Sequence, residues 1–546
     1  MSPVGKGLHI NSIDQLPTGW SMESSALKIN EDVKHHVIPL FYNDGDMPIY
    51  RLLVEKRSAH HPYVTSLKEQ LKQKNIKPAN DQIYIADSSL FYTFQHSGNS
   101  VKDLQAEVIE NNQGLKLLKE LTAFAFKYDS SDIHCEVETR NGNEKSQIEF
   151  RIMGRLVPVE RFNLPTPMVD LLVAYIFNLK GEGNSTSNFS PVEQQQCNVT
   201  GFEFEPGKSA NMRVACAPTY RGYKIVIRLT PANGPSKSKT LPELGYLPDQ
   251  LEKIELALGN KGGGILIAGV VGSGKSTSTE SMIGMAPSHW EIYTVEDPIE
   301  REIANATQFQ IARNLEEENN TAFLGVKRQL KRMDLDACFI GEIRDRETAA
   351  MFRDVIESGH RGWSTIHAGS AYEVVGIRLP SEELGIPRHV IASPNFLNLV
   401  IYQALVPKLC ECKLHGKGIL SEEYLSFIEM NFGINPDQIR VANPEGCPLC
   451  RNDDIPDLVG IKGRTVVAEM LEINAVAADF IMQGNNQGLY ALFTTNEQRQ
   501  SYTSPITEGK FAWEVALYHV SQGTFDPRSV EQVFGSLKKK LSDLRR

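Results

Sequence analysis

The apolar positions of this chain change period along its length, and each change marks an element. Over LKLLKELTAFAFK, beginning at Leu115, apolar residues recur every three to four positions, the spacing of one helix face. YDSSD then reads as a capping-type turn, and alternation through IHCEVE predicts a strand. QIEFRIMGRLVPV reads as another strand, and MRVACAPTYRGYKIVIRLT as two more around a tight turn at Arg221 and Gly222. Together they predict an α+β module. Upstream, LKEQLKQKNIKPANDQIYIA predicts a helix, a turn and a strand, in a region that carries no chemical motif up to about residue 105.

The segment TPANGPSKSKTLPELG is rich in Gly, Pro and Ser and reads as a linker. After it, GGGILIAGVVGSGKSTSTESMIGMA reads as a buried strand, a glycine-rich turn and a helix, the opening of an α/β domain with a parallel sheet. Further strands are predicted at WEIYTVEDP, DACFIGEIRD and GWSTIHAG, with polar residues at their C-terminal ends, where ligands sit in open α/β sheets. No internal repeat is present, and the stretch near Glu316–Asn320 reads as a loop.

At 546 residues the chain exceeds a single core, and roughly 150 residues per domain predicts three or four units. Hydrophobic residues make up 41%, charged residues 23%, and mean hydropathy is -0.29, so neither a disordered nor a membrane class is expected. No run approaches the roughly 18 apolar residues that cross a bilayer. The start MSPVGKGLHINSIDQLPTGW lacks a basic region followed by an apolar core, so neither export nor anchoring is expected. With 57 basic against 67 acidic residues, a net charge of -10 disfavours a broad grip on nucleic acid or an anionic membrane. The basic tail SLKKKLSDLRR reads as a solvated helix end.

Gly269-Val-Val-Gly-Ser-Gly-Lys-Ser276 satisfies the P-loop pattern, with a strand before it and a helix after it. Gly269, Gly272, Ser273 and Gly274 are expected to turn backbone N–H groups around phosphate oxygens. Lys275 would reach the β and γ phosphates, Ser276 would give its hydroxyl to Mg²⁺, and Thr277 would add a donor. Hydrolysis also needs a carboxylate to align a water and another on the metal side. Glu296 and Asp297 end one predicted strand, and Glu342 and Asp345 follow another.

In this order and spacing the segments resemble the secretion ATPases that drive type II secretion and type IV pilus assembly, over about residues 115–475. GVVGSGKST looks like that family's Walker A motif, YTVEDPIE like its Asp box, LDACFIGEIRDRETA like its Walker B region and SGHRGWSTIHAGSA like its His box. Gly341 before Glu342 reproduces the family's departure from the usual Walker B aspartate. The resemblance implies Glu296 as catalytic carboxylate, Glu342 on the metal side, and His360 and His367 as γ-phosphate sensors or couplers. SSDIHCEVE and FRIMGRL resemble the family's second N-terminal domain, in which Arg213 and Arg228 would reach a neighbouring nucleotide. Arg151 and Arg155 are weaker candidates.

Eight cysteines divide into four scattered ones and two close pairs, Cys410 with Cys412 and Cys447 with Cys450; such spacing suggests metal before disulfide. The segments around them resemble the zinc-binding insertion of assembly-type members of the family. Only Glu411 separates Cys410 from Cys412, a spacing that strains one ligand or brings in His415. GIKGRTVVAEML matches the segment that re-enters the motor domain, where Gly463 and Arg464 would serve packing.

The implied fold is a RecA-like α/β P-loop motor domain preceded by a PAS-like α+β domain, with a small cysteine insertion. Residues 1–110 would bind a partner, 111–232 form the second N-terminal domain, 233–405 the ATPase core, 406–460 the zinc insertion and 461–546 the mainly helical remainder. The implied function is a cytoplasmic homo-hexamer that uses ATP, Mg²⁺ and Zn²⁺. It would extend a type IV pilus or a secretion pseudopilus by domain rotation, touching the inner membrane only through a platform protein and other assembly proteins. The alternatives are a retraction ATPase, a conjugation-type DNA-transfer ATPase, which the acidic balance disfavours, and an ATP-sensing regulator, which retention of Glu296 and Glu342 disfavours.

Overall fold

The computed structural model describes residues 7–10, 16, 20–21, 31–34, 36–43, 48–59, 61–86, 91, 113–138, 145–178, 189–232, 239–297, 299–311, 321–330, 332–451, 455, 458–495 and 497–544. Residues 233–238 of the expected linker and the expected loop near Glu316–Asn320 lie outside these residues, and Leu241–Leu244, expected as linker, instead form a short helix. The chain divides into two compact units, 1–118 and 119–546. Among the described residues no helix is long and apolar enough to cross a membrane.

The first unit is built on a four-stranded sheet in the order β1 (Leu8–Ile10), β4 (Lys77–Ala86), β3 (Pro48–Glu55), β2 (Val37–Asn43). Alternation sends Leu40 and Leu53 to one buried face and Leu52 and Val54 to the other. Helix α1 (Pro62–Gln73) covers the second face with Val64, Leu67 and Leu71, spaced three and four apart as a helical stripe requires. The helix, turn and strand expected here are all present.

Helix α2 (Gln113–Lys127) leads towards the second unit, whose first part is a six-stranded antiparallel sheet. The order is β7 (Arg155–Pro158), β6 (Lys145–Ile152), β5 (Ser130–Glu138), β10 (Gly222–Pro231), β9 (Lys208–Pro218), β8 (Gln195–Glu205). Phe124 of α2 meets Phe150 of β6 with ring centroids 4.6 Å apart, and Tyr223 of β10 donates to Asp170 of helix α3 (Thr166–Asn178). The single strand expected over QIEFRIMGRLVPV is instead a hairpin, because Met153 and Gly154 both adopt positive φ, 51° and 82°. A two-residue turn of that kind matches the twist of paired strands, and a glycine makes its second position inexpensive.

The second part is a seven-stranded sheet ordered β13 (Thr307–Gln310), β12 (Ile292–Glu296), β14 (Ala337–Ile343), β15 (Arg361–Ile366), β11 (Gly263–Ala268), β16 (Leu397–Leu409), β19 (Ile461–Glu472). All neighbours are parallel except β16 and β19. In β11 Ile265 and Ile267 face one hydrophobic cluster, Leu266 and Ala268 the other. Helices α4 (Pro248–Gly259) and α5 (Lys275–Gly284) bury Ile254, Met282 and Ile283 on the first side, and α6 (Arg346–Glu357) buries Phe352 and Ile356 on the second. A parallel sheet covered on both faces explains why β11 reads as a continuous apolar run rather than an alternation.

Candidate functional site

Strand β11 ends at the glycine-rich turn. A Cβ on Gly269 would fall 2.4 Å from the Ser273 Oγ and 2.6 Å from the Gln403 carbonyl, so no other residue fits there. Gly274, at φ 83°, is the N-cap of α5, and Ser278 N is bonded to its carbonyl at 3.0 Å. The N–H groups of Lys275, Ser276 and Thr277 therefore open the helix without intrahelical acceptors, which with the helix dipole makes an anion seat. Lys275 lies across the turn, its Nζ donating to the carbonyls of Gly269 at 2.9 Å and Val270 at 3.2 Å. Burial lowers its pKa, opposed by Glu342 and Glu300. Ser276 is exposed and Thr277 half-buried in the first turn.

The acidic residues come from the two strands beyond β15. Glu296, the last residue of β12, is 8% exposed, and its Oε1 accepts from Thr294 Oγ1 at 2.6 Å and Gln308 Nε2 at 2.9 Å. Burial raises its pKa, and the two donors pull it back. Glu342 lies within β14, its Oε1 2.8 Å from His367 Nε2. His367 Nδ1 is 3.1 Å from the Gly269 carbonyl, so one imidazole spans the P-loop and Glu342. Gly341 faces Glu296: a Cβ there would sit 3.5 Å from Glu296 Cγ, so the aspartate of the usual motif would bring a second carboxylate against the first.

The remaining expected residues make other contacts. Asp297 pairs with Arg344, and Asp345 caps α6, its Oδ1 accepting from Thr348 N at 2.9 Å. His360 precedes β15 while His367 follows it, and six strand residues separate two ends by about 20 Å, so within the chain they do not meet. Thr294 and Gln308 escaped the sequence reading. Thr294 was visible in principle, two residues before Glu296 and hence on its face; Gln308 was not, because β13 was not foreseen.

In the antiparallel module, Asn198, Arg213, Arg228 and Asp132 form one row across β8, β9, β10 and β5. Arg228 Nε donates to Asp132 Oδ1 at 3.1 Å, whereas Arg213 is exposed and no carboxylate pairs with it among the described residues. Arg151 donates to the Gly154 carbonyl and Arg155 to Gln532.

The four paired cysteines converge, their Sγ atoms all within 4.8 Å of one another. Cys410 and Cys447 lie 3.8 Å apart, Cys412 and Cys450 3.5 Å, and Cys447 and Cys450 3.8 Å. Sulfurs about 2.3 Å from a tetrahedral zinc stand about 3.8 Å from each other, so the quartet fits that ion despite the short first spacing. His415 instead pairs with Arg440 in a two-stranded sheet of β17 (Leu414–His415) and β18 (Arg440–Val441). Backbone N–H groups of Cys447 and Gly460 point at Cys450 Sγ, at 3.3 and 3.4 Å, as donors to a thiolate would.

The chain is similar to several known proteins. Over 378 residues the chain is 31% identical to the type IV pilus assembly ATPase PilB of Acinetobacter baylyi, covering 68% of this chain and only 59% of that protein's length. Over 389 residues it is 31% identical to the protein transport protein HofB homolog of Escherichia coli, covering 71% and 76%. Among solved structures, the ATPase DotB of Legionella pneumophila superposes with a TM-score of 0.49 at 20% identity, covering 76% of this chain and 94% of that one. Residues 109–517, most of the chain and all of the site just described, match the model of the type II/IV secretion system proteins, and the chain belongs to that family.

Proposed function

We propose that the chain is an ATP-hydrolysing motor subunit that powers assembly of a type IV pilus or a type II secretion pseudopilus. One observation carries this reading: Lys275, Glu342 and His367 converge on the mouth of a P-loop through contacts of 2.8 to 3.5 Å, and Glu296 lies against Gly341, the residue before Glu342. The N–H groups at the start of α5 bind the phosphates, and Lys275 leaves the loop carbonyls for the β and γ oxygens. Ser276 would hold the magnesium ion, which supplies charge neutralisation to those oxygens. Glu296, whose pKa burial raises, aligns and deprotonates the attacking water. His367, between Gly269 and Glu342, transmits loss of the γ phosphate to β14 and β15.

The row of Arg213 and Arg228 suits a second copy's nucleotide, since a guanidinium keeps its charge and presents fixed donors. Closed rings use one such face on every copy, and the family resemblance supports a hexamer. The motor acts in the cytoplasm and reaches the inner membrane through a platform protein. Residues 1–110 choose the partner, and the cysteine insertion, around zinc, marks an assembly-type rather than a retraction member.

ATP turnover by the purified protein tests the reading. Wild type should hydrolyse ATP with magnesium, Lys275→Ala should neither bind nor hydrolyse it, and Glu296→Gln should bind it without hydrolysis. Wild type that captures no ATP overturns the proposal.

A further inference from the structure

Beneath the P-loop runs a buried hydrogen-bonded chain that the motifs do not include. Gln403 of β16 is fully buried, and its Nε2 donates to the Ser273 carbonyl at 2.7 Å. Its Oε1 accepts from the Tyr246 hydroxyl at 2.5 Å, and Tyr246 is buried as well. β16 lies beside β11, with Tyr402 in register with Ala268, so Gln403 stands next to the first P-loop glycine. The Gln403 amide also borders the far end of the loop, 3.4 Å from where a Cβ on Gly274 would be.

The consequence follows from peptide geometry. The Ser273 carbonyl and the Gly274 N–H belong to one planar trans peptide and point in opposite directions. Tying the carbonyl down to Gln403 turns the Gly274 N–H up toward the mouth of the loop, where an anion is received. Glycine at 274 leaves the backbone free to take either orientation, so the polarity of this peptide is decided by its floor. An amide has two faces, and only its NH₂ can serve a carbonyl; the Tyr246 hydroxyl, donating to the Gln403 oxygen, fixes which face is presented.

Tyr246 is itself held. It follows the short helix Leu241–Leu244, closed by Gly245 at φ 114°, and a Cβ on Gly245 would meet Thr465 Cγ2 at 2.4 Å. Just before that helix, the Lys239 carbonyl accepts from Ser281 Oγ of α5 at 2.6 Å. The segment that enters the motor is thus bonded both to the P-loop helix and, through Tyr246 and Gln403, to the P-loop floor.

We propose that Gln403 and Tyr246 are positioning residues that set the orientation of the Ser273–Gly274 peptide for phosphate binding, and that they register the entering segment 239–246 on the P-loop. This rests on the nucleotide reading above. The test is ATP affinity by calorimetry and steady-state hydrolysis on the full chain, with unfolding midpoints alongside. Gln403→Leu should weaken ATP binding about tenfold, the worth of one hydrogen bond, and raise KM by more than it lowers kcat. Tyr246→Phe keeps the packing and should weaken binding about threefold, and the double variant should be no worse than Gln403→Leu alone.

Wild type binding ATP while both variants bind it equally well overturns the inference and leaves the nucleotide reading intact. Additive losses, or losses that merely track a lowered unfolding midpoint, overturn it too. If Gln403→Leu does not fold, Tyr246→Phe with unchanged affinity is sufficient to reject it. Wild type that binds ATP no better than Lys275→Ala overturns both readings.

Discussion

Arg213 and Arg228 stand directly opposite each other across the β9–β10 ladder, and among the described residues only Arg228 has an acidic partner, Asp132 on the next strand. Like charges facing each other destabilise a sheet by roughly 0.2–1 kcal/mol, so the fold gains nothing from Arg213. The two arginines should therefore separate in their effects. Arg213→Ala should leave the unfolding midpoint unchanged or slightly raised while lowering ATPase activity at least about tenfold, the weight of a charged hydrogen bond. Arg228→Ala strands the mostly buried Asp132 and should also lower the midpoint.

If copies assemble into the proposed ring, an arginine that serves a neighbour's nucleotide can be rescued by mixing variants. Neither Arg228→Ala nor Lys275→Ala alone should turn over ATP, yet their mixture should recover activity at interfaces that pair an intact arginine with an intact P-loop. Absence of any recovery at several mixing ratios would remove the in-trans role.

The acid limb of the pH–activity profile should report Glu296. A base must be ionised to act, so activity falls as pH drops through its folded pKa, which burial holds above the ordinary carboxylate range. Thr294 and Gln308 donate to the ionised form. Gln308→Leu or Thr294→Val should therefore raise the pKa further and move the limb to higher pH by about one unit, since a hydrogen bond to a charge contributes about 1.5 kcal/mol or more. A limb that stays in place or moves down would show that another group titrates.

Gly341 can be probed with two substitutions of increasing charge. Gly341→Ala brings a Cβ to 3.5 Å from Glu296 Cγ, an ordinary contact, and should retain most activity. Gly341→Asp adds a carboxylate beside Glu296 and should cost more than about tenfold in kcat while ATP still binds. Equal activities of the two variants would show that the carboxylates do not interact.

Zinc should copurify at about one ion per chain, the capacity of a single four-thiolate site. Cys410 N is bonded to the Gly460 carbonyl at 2.9 Å, so the cluster clasps the far end of the β16–β19 ladder. Chelation or Cys412→Ser should accelerate amide exchange in residues 410–460 well before the P-loop strand. Protein prepared without chelator that holds no zinc would refute the assignment.

The P-loop was legible because it is a local device: eight consecutive residues carry the glycines, the lysine and the hydroxyl, and a strand and a helix flank them. The strands that carry Glu296 and Glu342, and the one that His367 follows, were legible for the same reason, as short apolar runs ending in polar residues. The hairpin at Met153–Gly154 was not, because a two-residue turn inside an alternating run leaves the period of two intact on both sides.

What the chain alone could not decide is which of these residues meet. Sheet order departs from chain order, so β16 brings Gln403 beneath Ser273 from 130 residues away, and β13, a strand the pattern did not announce, brings Gln308 to Glu296. Two histidines seven positions apart part company for another reason: a strand lies between them, and residues at its ends are held a strand's length apart. Local propensity and motif chemistry belong to the sequence; register across a seven-stranded sheet, and with it the company each side chain keeps, arises only when distant strands pair.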